Sequence, residues 1–331
     1  MTSAPILVLG SNSFSGAAFV DYLLSRGLSV IGTSRSPEPH AAFLPYKNNP
    51  NLNKFKFVQT DINHDLTKLI DICAGERVEY FVNFAAQSMV AESWTNPEHW
   101  FETNVVANVK MHDRLRKLPS LKKYVHISTP EVYGSCSGLV EEDFRFNPST
   151  PYAVSRAAAD MSLLSFQKNY GFPVVFTRAA NVYGPGQQLY RIIPRTMLYI
   201  RLGKKIQLHG GGHSVRSFIH IRDVAEGTWR ATLEGQPPAC FHFSTPLQIS
   251  IRELVEKICV RMKVPFSEAV EVVGDRPGKD AAYLLSSRKA ETELGWKAKI
   301  GLDQGLEETL AWIDRNLNEL RSVPHDYIHK P

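Results

Sequence analysis

The chain has 331 residues, of which 43% are hydrophobic and 21% charged, and its formal net charge is +5. This length allows two cores, or one nucleotide-binding domain that carries a smaller lobe. Lys and Arg are scattered along the sequence, which argues against a nucleic-acid partner, and no apolar run reaches the ~20 residues that cross a membrane. Because the start lacks a signal peptide and the four cysteines show no CxxC spacing, we expect a cytoplasmic protein.

Short apolar runs alternate with amphipathic helical patterns through the first half of the chain. The predicted helices include Ala17–Ser25 and Val105–Leu118, and the predicted strands are Ile6–Leu9, Ser29–Thr33, Phe55–Gln59, Tyr80–Asn83, Tyr124–Ser128 and Val174–Arg178. Alternation at this spacing is typical of a parallel sheet covered by helices on both faces. The pattern therefore predicts an α/β fold with a Rossmann-like, doubly wound parallel sheet.

The pattern changes after Asn181, where Gly and Pro punctuate the chain and the helices become isolated. The predicted helices of this half are Ile251–Met262, Ser287–Leu294 and Leu306–Leu317. We expect residues 1–180 to form the dinucleotide-binding domain, with residues 219–250 returning to it. Residues 181–218 and 251–331 are expected to form a smaller, mostly helical substrate-binding lobe.

A glycine-led turn follows the first predicted strand and opens the first helix. Its candidate phosphate-binding residues are Gly10, Asn12, Ser13, Phe14, Ser15 and Gly16. Phosphates bind at such turns because free N–H groups and the helix dipole point at them, and small residues let the backbone approach. A tight strand-to-helix turn without a ligand would have a similar sequence, so the turn alone leaves both interpretations open.

The end of the second strand bears on the choice of nicotinamide cofactor. An NAD site commonly places an acid there, which accepts a hydrogen bond from the ribose 2′-OH. This chain has Ser34 and Arg35 at that point and no acid before Glu38. Because an arginine flanked by hydroxyls suits a 2′-phosphate, the sequence favours NADP. The alternative is NAD, with Arg35 as an ordinary surface residue.

Later motifs carry a resemblance to a known family. In chain order they are Ala86-Gln87-Ser88-Met89-Val90, Thr129-Pro130-Glu131-Val132-Tyr133-Gly134, Pro151-Tyr152-Ala153, Asn181-Val182-Tyr183-Gly184-Pro185 and Arg276-Pro277-Gly278-Lys279-Asp280. With the glycine turn they span nearly the whole chain. The sequence resembles the nucleotide-sugar 4,6-dehydratases of GDP-mannose and dTDP-glucose, which belong to the extended short-chain dehydrogenase/reductases.

The resemblance implies additional cofactor-binding residues, which are Asp61, Ile62, Phe84, Ala85, Ala86, Asn104, Tyr152 and Arg156. Two positions depart from the family pattern. Ser13 stands where the family has the middle glycine of its turn, and Arg156 stands where it has a lysine. Because that lysine holds the nicotinamide ribose and lowers the pKa of the catalytic tyrosine, we expect Arg156 to act more weakly on Tyr152.

The resemblance also implies that Arg156 is one of four catalytic residues, and it assigns separate steps to the other three. Tyr152 would take the proton of the C4 hydroxyl, Thr129 would hydrogen-bond the C4 oxygen, and Glu131 would take the C5 proton before water leaves from C6. Pro130 stands where the dTDP-glucose enzymes carry an aspartic acid that protonates the leaving water. Glu131 is therefore expected to serve both steps, as in the GDP-mannose branch.

The residues expected to bind the nucleotide-diphosphate sugar are Ser88, Asn181, Arg191, His209, Arg216 and Arg276. The family also implies a homodimer formed through Val105–Leu118. The histidine spacing indicates no metal site. Two alternatives remain open, namely a nucleotide-sugar 4-epimerase or decarboxylase of the same fold, and a non-catalytic cofactor-binding homologue.

Overall fold

The apolar runs of the first half form the strands of one parallel sheet. The computed structural model describes residues 4–136, 138–274 and 284–330. Its strands are β1 Ile6–Leu9, β2 Val30–Ser34, β3 Phe55–Gln59, β4 Tyr80–Asn83, β5 Lys123–Ile127, β6 Leu139–Val140, β7 Val174–Ala179, β8 Asn181–Tyr183, β9 Ile206–His209, β10 Val215–His220, β11 Cys240–Phe243, β12 Gln248–Ser250, β13 Val270–Val273 and β14 Leu284–Leu285. The central sheet has the order β11-β7-β5-β4-β1-β2-β3 with parallel pairing, which confirms the predicted Rossmann-like fold.

Helices cover both faces of this sheet. They are α1 Phe14–Leu24, α2 Leu66–Gly75, α3 Pro97–Phe101, α4 Asn108–Leu115, α5 Pro151–Tyr170, α6 Ile192–Arg201, α7 Ile221–Glu234, α8 Ile251–Met262, α9 Phe266–Ala269, α10 Arg288–Leu294, α11 Leu302–Arg315 and α12 Leu317–Leu320. A π-helical stretch, Glu102–Ala107, joins α3 to α4. Because side chains alternate along a strand, Ile6 and Val8 pack against α1 and α7, whereas Leu7 and Leu9 pack against α2, α4 and α5. None of the described helices is long and apolar enough to span a membrane.

Helix α5 carries the two predicted residues that matter most for chemistry, Tyr152 and Arg156. The Thr150 side chain caps its N-terminus by accepting a hydrogen bond from the Ala153 N–H at 3.1 Å. Gly171 ends the helix with a left-handed φ of 66°. The helix is therefore fixed at both ends, and its first turn holds Tyr152 beside the end of β5.

The second half adds small sheets, β12-β10-β8 and β13-β9, and a helical core formed by α6, α8 and α11. Strand β11, which the sequence did not predict, pairs in parallel with β7 and extends the central sheet. The predicted start of the last long helix at Leu306 is wrong, because α11 begins at Leu302. Residue 305 lies inside this helix and is a glycine, because a Cβ at this position would meet the Tyr183 hydroxyl at 2.2 Å.

Candidate active site

Two adjoining cavities lie at the carboxyl ends of the central strands. The larger, about 660 Å³, is lined by the predicted residues Phe14, Ser15, Thr129, Glu131, Tyr152, Arg156, Asn181, Arg191, His209 and Arg216. The smaller, about 550 Å³, is lined by Gly10, Asn12, Ser34, Arg35, Asp61, Ile62 and Ala85. Ser13, Phe84, Ala86 and Ser88 line both cavities, so the two form one cleft. A cleft at this edge of a doubly wound sheet is where such folds bind ligands.

The glycine-led turn brings three stretches of backbone close together. Gly10 has a φ of 82°, and a Cβ there would meet the Ala85 nitrogen at 2.7 Å. A Cβ on Gly16 would meet the Gly10 oxygen at 2.2 Å. Both glycines are therefore required by close approach, although Gly16 lies behind the turn and not on the cavity wall.

Ser13 replaces the middle glycine of the family's turn without strain. Its φ and ψ are −73° and 159°, which any residue adopts. Its hydroxyl donates to the Gly10 oxygen at 2.7 Å and accepts from the Gly16 N–H at 3.0 Å, so it acts as the N-cap of α1. The departure at this position therefore preserves the turn.

The residues of the smaller cavity fit a dinucleotide. The Asn12 N–H donates to the Ser34 hydroxyl at 3.0 Å, and its side-chain amide donates to the Ser36 oxygen at 2.8 Å, which ties the glycine-led turn to the end of β2. Among the residues that line this cavity, Asn12 has a buried side-chain oxygen with no hydrogen-bond partner among the described residues. Buried polar atoms of this kind are unusual without a ligand or water to satisfy them.

The end of β2 presents a cation, while the nearest acid is already engaged. Arg35 lines the smaller cavity and donates from Nη2 to the Lys330 oxygen at 2.9 Å. Glu38 accepts hydrogen bonds from Tyr46 at 2.7 Å and Lys47 at 2.8 Å. The Glu38 carboxylate is thus held by its own neighbours, which disfavours it as a ribose ligand.

Asn104, predicted to contact the cofactor, lies one layer behind the cleft. It is fully buried, and its amide oxygen accepts from the Gln87 N–H at 2.9 Å. Its amide nitrogen donates to the Gln87 oxygen and the Ser155 hydroxyl, both at 3.0 Å. Asn104 therefore fixes the loop after β4 to the first turn of α5. A direct contact of Asn104 with the cofactor stays a prediction.

The predicted catalytic residues meet in the larger cavity. Thr129 is buried and caps a short 3-10 turn, Pro130–Tyr133, accepting from the Glu131 N–H at 3.3 Å. Pro130 occupies the first position of this turn, where its missing N–H costs nothing. The turn and the start of α5 present Thr129, Glu131 and Tyr152 to one space.

The Tyr152 phenol is electrostatically coupled to its neighbours. Burial raises the pKa of Tyr152 above its usual value of 10, and the Glu131 carboxylate raises it further. Arg156, a hydrogen bond with Thr129, and Arg191 each lower the pKa, but burial and Glu131 prevail. The Tyr152 phenol is therefore protonated at neutral pH.

Arg156 reaches into a buried polar network. It is only 2% exposed, and Nη2 donates to the Ile127 carbonyl and lies 3.1 Å from His126 Nε2. Burial, reinforced by the Arg156 guanidinium, holds the pKa of His126 well below its usual range. The neutral His126 can thus accept from Arg156. The Arg156 Nε and Nη1 atoms are buried without a hydrogen-bond partner among the described residues.

Behind His126, the Asp160 carboxylate balances a second buried cation. His126 Nε2 lies 3.5 Å from Asp160 Oδ1, and Asp160 Oδ2 accepts from Arg178 at 2.9 Å and from Ser128 at 2.6 Å. Asp160 and Arg178 are both fully buried. The two guanidinium groups and one carboxylate leave one net positive charge behind Tyr152.

The substrate side of the larger cavity is built from the second half of the chain. Asn181 begins β8, His209 ends β9 and Arg216 lies in β10, while Arg191 is the N-cap residue of α6. His209 Nδ1 lies 3.2 Å from the Gly274 oxygen. The prediction for Arg276 falls outside the described residues. Within the described residues, no group of three or more His, Cys, Asp or Glu could hold a metal ion.

Several residues of the cleft were not predicted from the sequence. Gln187, Gln188 and Tyr190 line the larger cavity, and Tyr327 and Lys330 line the smaller one. The first three directly follow the motif that ends at Pro185, and this proximity could have indicated them. No motif marks the last two, whose position depends on how the end of the chain folds back.

Comparison with known proteins gives consistent matches. The family model described as GDP-mannose 4,6 dehydratase matches residues 7–309. A probable dTDP-glucose 4,6-dehydratase of Sinorhizobium fredii is 30% identical over 329 residues, covering 94% of this chain and 93% of its own. The solved structure of the dTDP-glucose 4,6-dehydratase DesIV from Streptomyces venezuelae, with NAD bound, has a TM-score of 0.88 at 30% identity and covers 95% of this chain and 98% of its own.

An epimerase has nearly the same fold. The UDP-glucose 4-epimerase of Thermotoga maritima, solved with UDP-glucose, has a TM-score of 0.84 at 26% identity, covering 95% of this chain and 99% of its own. Because dehydratases and epimerases share the architecture, the fold alone does not separate the two reactions. The side chains of the cleft have to do so.

Proposed function

This chain belongs to the GDP-mannose 4,6 dehydratase family and is a nucleotide-sugar 4,6-dehydratase dependent on a nicotinamide dinucleotide; we propose that Tyr152, Thr129 and Glu131 carry its chemistry. The observation that supports these roles is the coupling of Glu131 to Tyr152 in one cavity. Elimination needs a base for the C5 proton in addition to the base for the C4 hydroxyl. An epimerase needs only the latter.

In the proposed mechanism, each residue acts on a named atom of the sugar. Tyr152 takes the proton of the C4 hydroxyl, and Thr129 holds the C4 oxygen. Glu131 then takes the C5 proton, which the C4 ketone has made acidic, and passes it to the hydroxyl that leaves C6 as water. A second proton, drawn from solvent, is added at C5 when the hydride returns to C6. When bound, the dinucleotide supplies an acceptor for the C4 hydride, which later returns to C6, and a positive charge that favours the Tyr152 phenolate.

The test of this function is incubation of the purified protein with a panel of nucleotide-diphosphate hexoses. We expect a 4-keto-6-deoxy sugar nucleotide, detected by the alkaline absorbance of 4-keto sugars and by a loss of one water in the mass. Formation of a C4 epimer of unchanged mass would contradict the proposal, as would release of carbon dioxide from a uronic acid substrate.

We also propose NADP as the cofactor, with Arg35 beside the 2′-phosphate. Arg35 and the Ser34 and Ser36 hydroxyls lie at the end of β2, where this fold places the adenosine ribose. NAD is the cofactor bound to the DesIV structure, and it remains the alternative for this chain.

Replacement of Arg35 by alanine is expected to reduce the preference for NADP over NAD about tenfold to 150-fold. The reason is that a hydrogen bond to a charged group contributes ~1.5 to 3 kcal/mol, which the 2′-phosphate would lose. The measurement is the ratio of the two dissociation constants by calorimetry, in the parent and in R35A. An unchanged ratio would remove Arg35 from cofactor recognition.

We propose a homodimer formed through α4, the preceding π-helical stretch and α5. Val106 of the π-helical stretch is 47% exposed, and Val154 and Met161 of α5 are 38% and 58% exposed. Phe101, which ends α3 directly before the π-helical stretch, is 37% exposed. Apolar side chains grouped on adjacent helices are typical of a protein interface.

We also propose the division into a dinucleotide-binding domain and a substrate-binding lobe. The membership of β11 in the central sheet supports the return of residues 219–250 to the first of these.

Substitution of Met161 by glutamate is expected to convert the dimer to monomers, because a charge at the centre of an apolar interface loses its hydration without a partner. Sedimentation velocity at several protein concentrations measures the change. The matched control is Val260→Glu on α8, whose side chain is 78% exposed and lies away from this face. If both variants sediment like the parent, α5 is not part of the interface.

A further inference from the structure

The C-terminal segment, defined as residues 326–330, crosses the mouth of the smaller cavity. Tyr327, Ile328 and Lys330 form part of the cavity wall. The Lys330 carbonyl accepts two hydrogen bonds, one from Arg35 Nη2 at 2.9 Å and one from Gln87 Nε2 at 2.7 Å. These two donors come from the ends of β2 and β4. The segment thus joins two loops that face the cofactor site.

Side chains anchor this segment on both sides of the cleft. The His329 ring stacks on the fully buried Trp100 with a centroid distance of 5.1 Å and an interplanar angle of 7°. The ring of Tyr327 packs edge-on against Tyr190 at 5.5 Å, and Asp326 pairs with Arg195 at 2.5 Å. Trp100 belongs to α3, whereas Tyr190 and Arg195 belong to the substrate side. The segment is therefore held at both edges of the cavity.

The segment also brings an ammonium group to the end of β2. Lys330 Nζ donates to the Ser36 hydroxyl at 3.4 Å, beside the loop that carries Ser34 and Arg35. Glu38, the nearest acid of this loop, is engaged by Tyr46 and Lys47. Two cations and two hydroxyls thus lie where the fold places the adenosine ribose, which is a suitable set for a phosphate dianion.

From this arrangement we propose that the C-terminal segment is the outer wall of the dinucleotide site and that Lys330 is a cofactor-binding residue, which pairs with Arg35 on the 2′-phosphate. The proposal rests on the proposed use of NADP for the role of the ammonium group. The role of the wall does not depend on which dinucleotide binds, because the backbone carbonyl of Lys330 and the anchoring side chains make no use of a phosphate.

Two variants separate these roles. K330Q removes the ammonium group but keeps the carbonyl that Arg35 and Gln87 bind, so we expect NADP to bind about tenfold more weakly, with NAD changed less than twofold. Deletion of residues 326–331 removes the wall, and we expect both dinucleotides to dissociate at least tenfold faster. Calorimetry gives the dissociation constants, and stopped-flow quenching of tryptophan fluorescence gives the rates.

Matched controls make each outcome decisive. K297Q removes a lysine that is 73% exposed and lies outside the cleft, and it should change neither constant. H329A keeps the chain length while removing the stack on Trp100, so faster dissociation in H329A supports the wall even if the deletion variant unfolds. Unchanged rates in H329A and in a folded deletion variant would overturn the wall.

The failures of the two proposals are distinguishable. A parent protein that prefers NADP, together with an unaltered K330Q, would overturn the role of Lys330 alone. A parent that prefers NAD would overturn the role of both Arg35 and Lys330 in binding the 2′-phosphate. The proposed wall would then be tested by the dissociation rates of H329A and the deletion variant alone. A parent that binds neither dinucleotide would overturn the proposed function itself and the wall with it.

Discussion

Glu131→Gln is expected to lower formation of the 4-keto-6-deoxy product by about 10²- to 10⁴-fold, the usual contribution of a general base. Glutamine has nearly the same shape as glutamate but cannot accept the C5 proton. Oxidation at C4 should continue, because Tyr152 and Thr129 are untouched. Reduced nicotinamide should therefore accumulate on the enzyme in a single turnover, as seen by its absorbance, while mass spectrometry finds no product that has lost water.

The same variant should change the pH dependence of C4 oxidation. The Glu131 carboxylate raises the pKa of Tyr152, since a negative charge nearby disfavours the phenolate. The neutral amide removes this effect, so the pKa of Tyr152 falls and the half-maximal rate of oxidation moves to lower pH. Glu141→Gln, an exposed glutamate ten residues further on, is the control and should behave as the parent. Normal product formation by E131Q would remove Glu131 from the mechanism.

Arg178→Met is expected to destabilise the folded protein by about 3 to 5 kcal/mol, the cost of removing one partner of a buried ion pair. The Arg178 and Asp160 side chains are both 0% exposed and their nearest N and O atoms are 2.9 Å apart. Methionine fills much of the same volume but leaves the Asp160 carboxylate buried with a single close hydroxyl donor, Ser128. Urea unfolding followed by circular dichroism gives the difference in the free energy of unfolding.

Arg222→Met is the matched control for this experiment. Arg222 also forms a close pair with a carboxylate, that of Glu308 at 2.5 Å, but its side chain is 58% exposed. Because water screens an exposed pair, we expect a loss below about 1 kcal/mol. Equal losses in the two variants would mean that burial of the Asp160 pair contributes nothing. A small loss in R178M alone would mean that Asp160 takes up a proton or finds another donor.

Much of the fold and cleft followed from local patterns in the sequence. The apolar runs at Ile6–Leu9 and Tyr80–Asn83 have the same bounds as β1 and β4, because strands buried on both faces need continuous apolar residues. The prediction for Phe55–Gln59 also matches β3, which is a partly exposed edge strand. Strand β11, Cys240–Phe243, was missed because its four residues include a histidine. The His242 ring is fully buried there and lies 2.8 Å from the Tyr133 hydroxyl, a contact that no local pattern shows.

Ser13 and Arg156 both depart from the family pattern, and the role of each depends on contacts that the sequence does not show. Ser13 was a doubtful feature of the glycine-led turn, and it proves to be a helix N-cap of ordinary backbone conformation. Arg156 is expected from the sequence to replace the family's lysine, with a weaker effect on the pKa of Tyr152. Its guanidinium turns towards His126 and the Ile127 carbonyl, and this placement depends on residues 29 and 30 positions away. Its influence on the cofactor therefore stays a prediction.

The hydrogen bond between Arg35 and Lys330 joins residues 295 positions apart. A ribosome that adds ~5 to 20 residues per second needs about 15 to 60 s to pass from one to the other. During synthesis, the glycine-led turn and the central strands emerge long before the segment that covers them. On the proposal that residues 326–330 wall the dinucleotide site, this wall cannot form until those residues have been synthesised.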